Sequence, residues 1–256
     1  MLIASLKKEE LLKIFYIFSR KIGIFILFVF ILFFDGTYFT THILDSQTPI
    51  NILAILSFLL MYYRAYPRTR KLMIYAVVVG LLGEYFFSVF LGMYTYRLEN
   101  VPWYVPFGHA ALYGRVFIFS KDSYIRKHHK AIEQFFAIII IALATMYLLF
   151  FYDVFGFVMT AGVFLLLLKR PKDRLFFYSM YILVAILEIG GTAFGCWKWP
   201  PIGFNVFEFL PSNNPPSGIS LFYFLLDISC FFIYTQRNKI AWKRVKKIRN
   251  NLLLKS

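Results

Sequence analysis

The chain has 256 residues, of which 60% are hydrophobic and 16% are charged, with a net charge of +15 and a mean hydropathy of +0.66. Soluble domains average about 45–50% apolar and about 25% charged residues, so this composition excludes an ordinary soluble domain and predicts a polytopic membrane protein. The positive residues lie between apolar stretches and at both ends, which indicates contact with anionic headgroups of the lipid bilayer, and no nucleic-acid partner is expected.

Residues 1–20 have apolar side chains at helical spacing with charged ones between them, which predicts an interfacial amphipathic helix on the cytoplasmic face. Eight apolar stretches follow, near 22–43, 48–65, 72–96, 105–121, 131–152, 154–169, 174–197 and 217–236. Since a spanning helix needs about 20 mostly apolar residues, we predict an all-α protein with about eight transmembrane helices. Residues 238–256 are predicted to form a basic cytoplasmic tail.

Lysine and arginine are distributed unevenly between the connections. The N-terminal segment, every second connection and the tail each carry at least four of them, whereas the alternate connections hold only Arg97 and Lys198. By the positive-inside rule, this pattern predicts eight spans with both termini in the cytoplasm. The expected location is a bacterial inner membrane, although the loop charges do not name the source membrane. The charge pattern does not indicate whether the chain binds other membrane proteins.

Four sequence elements recur at an offset of 103 to 110 residues. In the first half they are Pro67–Arg70, Glu84, Gly92–Tyr96 and Pro106–Gly108; in the second half they are Pro171–Arg174, Glu188, Gly195–Trp199 and Pro216–Gly218. This pattern predicts a duplication into 21–130 and 131–237, each with four spans. An even number of spans gives both halves the same orientation, so the repeats are parallel and a site between them is expected.

Three acids are predicted to be catalytic: Glu84, Glu188 and Asp227. Glu84 lies twelve residues past Leu72, which at 1.5 Å per residue is about 18 Å into the membrane. Intramembrane acids are costly and therefore mark functional sites by default. A neutral acid could donate a proton to an alkene or a leaving group, and an ionised partner could stabilise positive charge. Alternatively, these acids accept hydrogen bonds and only lock helix packing.

Other polar and aromatic residues are predicted to bind the substrate. The set comprises Tyr94, Tyr96, His109, Tyr113, Arg115, Trp197, Trp199 and Tyr223. The aromatic pairs of the two Gly-x-aromatic-x-aromatic elements would line the outer mouth, where their faces could stabilise a cation. His109 would lie at the same mouth, as a proton shuttle or an ordinary interfacial histidine. Arg115 is the expected internal counter-charge of Asp227 or a glutamate, in a catalytic or a structural cluster.

Further predictions concern two acids, the loop 199–216 and the binding of metals or cofactors. Asp35 and Asp153 are interpreted as exposed acids at helix ends near the outer surface. The Pro-rich loop 199–216 is either a lid over the outer mouth or a passive loop. The chain has no Cys/His metal spacing and no phosphate-binding glycine loop, so neither a metal nor a cofactor is expected.

The first-half elements also resemble a known family. Gly83-Glu84, followed by Gly92–Tyr96 and Val101–Pro106, is similar to the Glu, Gly-x-Tyr-x-Tyr and Val-Pro elements of the multi-span carotenoid hydratases. The early glutamate and late aspartate also resemble those of the small integral-membrane terpene cyclases. Because both families protonate a double bond in an isoprenoid, the resemblance implies an acid role for Glu84 and aromatic roles for Tyr94 and Tyr96.

Three functions are compatible with these residues. The leading hypothesis is an integral membrane enzyme that acts on a lipidic, isoprenoid or carotenoid-like substrate by acid–base chemistry. The first alternative is a transporter or lipid-binding protein that uses the same acids to bind protons or a cation. The second is a structural subunit of a membrane complex.

Overall fold

Helices make up most of the chain in a computed structural model, which describes residues 6–240. The first residues of the predicted amphipathic helix and most of the predicted tail lie outside this range. In chain order the elements are α1 (Lys8–Ile22), α2 (Phe25–Asp35), α3 (Thr37–His42), α4 (Gln47–Arg64), α5 (Pro67–Glu84), a π-helical segment (Tyr85–Phe90), β1 (Thr95–Tyr96), α6 (Tyr104–Ser120), α7 (Ser123–Lys127), α8 (His129–Phe151), α9 (Val154–Leu168), α10 (Arg174–Ala193), β2 (Trp197–Lys198), β3 (Ile202–Gly203), β4 (Phe207–Pro211) and α11 (Ser220–Arg237).

Each of the eight predicted apolar stretches is helical, so the prediction of a helical protein is confirmed apart from four short strands. The first stretch is interrupted at Gly36, whose extended backbone (φ −64°, ψ 152°) separates α2 from α3. The helix of the third stretch, α5, begins earlier than predicted, with Pro67 in the first turn, where its missing N–H costs nothing, and it continues into the π-helical segment. Single-turn π segments of this kind are frequent at functional sites.

Within the described residues, three helices are each long and apolar enough to cross a membrane. They are Pro67–Phe90, His129–Phe151 and Arg174–Ala193. Helices α1 and α2, bent by 53° at their junction, would form a fourth span if they were counted together, which differs from the predicted division near residue 21. These helices are consistent with an integral membrane protein.

Large apolar side chains are exposed along the middle of several helices. Examples are Leu56 and Leu60 of α4, Ile138 and Ile141 of α8, and Leu165 of α9. Such surfaces are rare on soluble monomers and are typical of contact with lipid or another protein.

Four helices form the centre of the fold. α5 packs on α6 and α11, while α10 packs on α6 and α11. Gly83 permits the close approach of α11, because a Cβ atom there would lie 2.7 Å from Leu226 Cδ2. This contact places the end of α5, with Glu84, directly against α11.

Arg115 does not provide the predicted internal counter-charge. It lies at the other end of α6, where its guanidinium donates hydrogen bonds to the backbone carbonyls of Arg20 and Lys21 at the end of α1. Carbonyl groups in the last turn of a helix lack intrahelical partners, which explains why a cation is favourable there. Lys21 Nζ also lies 2.6 Å from Asp122 Oδ2, so α1 is fixed to the α6–α7 corner.

Asp35 and Asp153 are fully buried, so their interpretation as exposed acids was wrong. Asp35 pairs with Arg97 at 2.8 Å and accepts a hydrogen bond of 2.7 Å from the Tyr104 hydroxyl. Asp153 caps α9 and accepts three backbone N–H groups, from residues 156, 213 and 217. Each carboxyl group tolerates burial because its oxygens are hydrogen-bonded.

Replacement of Asp35 tests the Asp35–Arg97 pair. Asp35→Asn leaves a largely buried guanidinium with only the exposed Asp45 as a charge partner, so we expect the free energy of unfolding to fall by about 3–5 kcal/mol. Asp45→Asn is the matched control, because Asp45 lies 3.6 Å from the same Arg97 but is 69% exposed. Its expected cost is about 0–1 kcal/mol. Denaturant-induced unfolding in detergent measures both, and equal losses would refute the assignment.

Candidate functional site

A two-stranded sheet brings the two Gly-x-aromatic-x-aromatic elements together. β1 and β2 pair antiparallel, with Thr95 opposite Lys198 and Tyr96 opposite Trp197. Both elements begin at a glycine with positive φ, +58° at Gly92 and +76° at Gly195. Glycine adopts this conformation without steric cost, so the chain can leave each helix and return its aromatic residues over the helix end.

Glu84, the last residue of α5, is 3% exposed and is bound by the tyrosines of its own element. Its Oε2 accepts hydrogen bonds from the hydroxyls of Tyr94 and Tyr96, the latter at 2.6 Å. Among the described residues, none donates a hydrogen bond to Oε1. One oxygen is therefore fixed and the other is available to a bound molecule.

Glu188, on α10, is also 3% exposed and is bound by the tryptophans of its own element. Its Oε2 accepts the indole N–H groups of Trp197 at 2.8 Å and Trp199 at 3.1 Å. Its Oε1 accepts the Tyr223 hydroxyl at 3.0 Å. Both oxygens of Glu188 are thus engaged.

The two carboxyl groups share one aromatic cluster. The Tyr94 ring lies 4.5 Å from that of Trp199, and the Tyr96 ring lies 6.0 Å from that of Trp197. Each contact joins a donor of Glu84 to a donor of Glu188. The two acids therefore belong to one cluster, which is joined by ring contacts and by the pairing of β1 with β2.

A narrow groove with a cavity volume of about 10 Å³ opens beside Glu84. Its walls come from α5, the π-helical segment and α11, and they are formed by Glu84, Phe87, Met93, Tyr94, Trp199, Ile219, Phe222, Tyr223 and Leu226. The lining is mostly apolar with a few convergent polar groups, as is usual for a small-molecule site. Glu84 is its one acidic group.

His109 and Asp227 form a second buried pair beside this groove. His109 Nε2 lies 3.1 Å from Asp227 Oδ1, although the contact is an ion-pair distance rather than an aligned hydrogen bond. The His109 ring also lies 5.4 Å from that of Tyr223, one helical turn before Asp227 on α11. His109, at 8% exposed, is thus buried in the bundle and not at an open mouth as expected. His109, and not Arg115 as predicted, is therefore the residue that pairs with Asp227.

The predicted site residues fall into three groups. Glu84, Tyr94, Trp199 and Tyr223 line the groove, whereas Glu188, Tyr96, Trp197, His109 and Asp227 lie behind or beside it. Tyr113 is buried elsewhere, with its ring 5.2 Å from Phe176, and Arg115 is remote from the groove.

Sequence reasoning missed five apolar residues of the lining: Phe87, Met93, Ile219, Phe222 and Leu226. Phe87 follows Glu84 by three residues and Leu226 follows Tyr223 by three, so helical periodicity from those two polar residues could have found them. The other three carry no signal that separates them from the many apolar residues of the chain. Among residues 6–240, no group of three or more His, Cys, Asp and Glu side chains could hold a metal ion.

Comparisons with protein families, with curated proteins and with solved structures give no match for this chain. The resemblance to carotenoid hydratases and terpene cyclases therefore stays a hypothesis that depends on the motif residues alone.

Substitutions of Glu188 distinguish a hydrogen-bond acceptor from a space-filling group. Glu188→Leu leaves three buried donors without an acceptor, and we expect a loss of about 1–3 kcal/mol for each unsatisfied donor. Glu188→Gln keeps an amide oxygen for the two indole N–H groups, so its loss should be markedly smaller. Thermal unfolding in detergent measures both variants. Equal losses would contradict the hydrogen-bond assignment.

Proposed function

We propose that the protein is an integral membrane enzyme that protonates an alkene in a lipidic, isoprenoid-like substrate. The observation that carries this proposal is the asymmetric binding of Glu84. Its Oε2 is held by Tyr94 and Tyr96, while Oε1 has no donor among the described residues and the side chain lines the groove. A carboxyl group fixed at one oxygen and open at the other is positioned for proton transfer.

In the proposed reaction the substrate gains one proton from Glu84 and later loses one proton. The Glu84 O–H bond breaks as a C–H bond forms at one alkene carbon, which leaves a carbocation at the neighbouring carbon and a carboxylate on Glu84. The cation then loses a proton from an adjacent carbon, or adds water and loses a proton from the added oxygen. In either route the departing proton returns to the Glu84 carboxylate, directly or through the His109–Asp227 pair, so the product is neutral and the acid is restored.

The aromatic walls fit a cationic intermediate. The rings of Tyr94, Trp199 and Tyr223 line the groove, and the faces of such rings attract positive charge. Glu188 lies behind Trp199 and Tyr223, both of which donate hydrogen bonds to it. An ionised Glu188 would orient the Trp199 N–H and the Tyr223 O–H toward itself. The faces of these two rings would then remain turned toward the substrate.

His109 and Asp227 are proposed to assist Glu84. The pair is buried, lies against Tyr223, and leaves both Asp227 oxygens without an aligned hydrogen bond from the described residues. Buried polar atoms of this kind call for an explanation beyond packing. A role in returning the proton to Glu84 is consistent with this placement.

The rim of the groove favours a substrate dissolved in the bilayer. Leu82, Phe86 and Phe90 beside one wall and Leu225 beside the other are exposed apolar residues. The cavity volume of about 10 Å³ is also far below the roughly 300–1,000 Å³ of typical small-molecule sites. Only the end of a long lipid would therefore occupy the groove, with the remainder in the membrane.

We further propose eight spans in two parallel repeats, with both termini in the cytoplasm of a bacterial inner membrane. Support comes from contacts at corresponding places: α5 packs on α11 as α10 packs on α6, and α4 packs on α6 as α9 packs on α11. The arginine side chains of Arg70 and Arg174, both at the repeated Pro-x-x-Arg element, each bond a backbone carbonyl seven residues earlier.

A structural role is the second candidate, and one observation favours it. Glu188 has three donors from two different elements, so the cluster also holds α10, α11 and the β1–β2 sheet together. Under this hypothesis the acids are hydrogen-bond acceptors only. Substitution of Glu84 would then affect folding or assembly rather than the lipid composition of the cell.

Mass spectrometry of lipid extracts tests the enzyme. Cells that produce the wild-type protein should contain a lipid of altered mass or structure, and Glu84→Gln should abolish that change because the amide cannot donate a carboxylic proton. Tyr94→Phe, which removes one donor to Glu84, should lower the yield. Glu208→Gln, an exposed acid outside the groove, is the matched control and should retain full activity.

The same samples identify the alternatives. Unchanged lipids with all proteins folded would refute the acid–base reaction for the lipids present. Loss of folding in Glu84→Gln would favour the structural role, whereas proton-dependent uptake of a solute would favour a transporter.

Cysteine labelling tests the proposed topology. Glu99 and Lys172 are both exposed, but they lie in connections assigned to opposite sides of the membrane. Glu99→Cys should react with a membrane-impermeant maleimide in intact spheroplasts, and Lys172→Cys should react only after the membrane is broken. The opposite result would invert the orientation, and labelling of both in intact cells would contradict eight spans.

A further inference from the structure

The loop 199–216 contains a β-hairpin with an exposed apolar face. β3 and β4 pair antiparallel, with Ile202 opposite Pro211 and Gly203 opposite Phe207. Phe204 and Asn205 occupy the turn with φ of +54° and +57°. Positive φ at both central residues gives the hairpin the twist of its strands, although phenylalanine rarely adopts it.

The two faces of β4 differ in character. Successive side chains of a strand point to opposite faces, so Phe207 and Phe209 share one face and Glu208 occupies the other. Phe209 is 74% exposed and its ring lies 5.6 Å from that of Phe207. Val206 at the turn is 70% exposed as well. Residues 199–216 contain no Lys or Arg, so this face does not suit an anionic partner.

The hairpin is seated on the beginning of α9. The Phe204 ring lies 5.3 Å from that of Phe155, and a Cβ atom at Gly203 would lie 2.8 Å from Phe155 Cδ2. Asp153, which caps α9, accepts backbone N–H groups on the far side of the loop from Asn213 and Ser217. These contacts fix the hairpin relative to the helix.

The length of α9 indicates where the hairpin lies. Its 15 residues extend about 22 Å at 1.5 Å per residue, whereas the hydrocarbon core of a bilayer is about 30 Å thick. A helix of this length that reaches one interface stops short of the other by several ångströms. If the basic end of α9 reaches one interface, the hairpin that caps its other end would lie near the depth of the missing turns.

We propose that the β3–β4 hairpin lies at the membrane interface beside the α9 N-terminus, with the side chains of Val206, Phe207 and Phe209 in contact with lipid acyl chains. Open strand edges do not occur in the hydrocarbon core, because their backbone groups would lack partners there, so the hairpin backbone stays at the level of the headgroups. The turn itself is closed by internal bonds: Asn205 N–H bonds Ile202 O at 3.1 Å, and Val206 N–H bonds Gly203 O at 3.2 Å. The apolar side chains thereby reach the depth that α9 does not span.

This arrangement would also affect the groove. The Phe204 ring lies 5.8 Å from that of Phe222, which lines the groove. Lipid contact on one face of the hairpin would therefore support the groove wall through Phe204. The membrane placement itself does not depend on the proposed reaction.

Depth-dependent fluorescence quenching tests the proposal. The full chain carrying Phe209→Cys or Glu208→Cys is labelled with an environment-sensitive fluorophore and reconstituted in phosphatidylcholine vesicles; the wild type, whose Cys196 and Cys230 are buried, reports background labelling. The Phe209 probe should be quenched several-fold more by lipids with a nitroxide on the acyl chain than the Glu208 probe. Aqueous iodide should show the opposite order.

Phe207→Cys provides a second position on the same face if Phe209→Cys does not fold. Strong iodide quenching of both lipid-face probes, with no effect of nitroxide lipids, would overturn the proposal. So would protection from both quenchers together with a cross-linked dimer through the labelled position, because a second copy of the chain would then cover the face.

Discussion

A carboxyl group inside a helical bundle needs donors within hydrogen-bonding distance, because neither lipid nor apolar side chains can replace its hydration. Here the donors of Glu84 and Glu188 come from the two segments that follow their helices. Each segment turns back at a glycine of positive φ and pairs with the other as β1 and β2. The sheet, the ends of α5 and α10, and the groove beside α11 are therefore all arranged around these two acids.

The two acids have matched positions but different donors, and the difference has chemical consequences. A tyrosine hydroxyl can donate or accept, so the partners of Glu84 can adjust when its protonation changes. An indole N–H can only donate, so Trp197 and Trp199 hold Glu188 as an acceptor whatever its protonation state. Similar frameworks thus surround one acid with hydroxyls that can donate or accept and the other with two indoles that only donate.

Segments outside the regular α-helices provide part of the groove wall and its support. The π-helical segment Tyr85–Phe90 follows Glu84 directly and provides Phe87 to the groove. The β3–β4 hairpin covers the end of the short α9, and its Phe204 contacts the groove residue Phe222. Because a straight helix presents each side chain at a fixed angle and rise, an opening between helices requires local departures from that geometry.

The sequence by itself determined the helical stretches and the repeated spacing between each glutamate and its aromatic pair, since apolar length, glycine and motif spacing are local properties. It did not determine which ionisable groups meet. His109 reaches Asp227 across more than a hundred residues, while Arg115, only six residues after His109, faces the carbonyls that end α1. The burial of Asp35 was likewise decided by Arg97 from a distant segment. Pairing depends on how helices pack and rotate, and that is fixed only when the whole bundle has assembled.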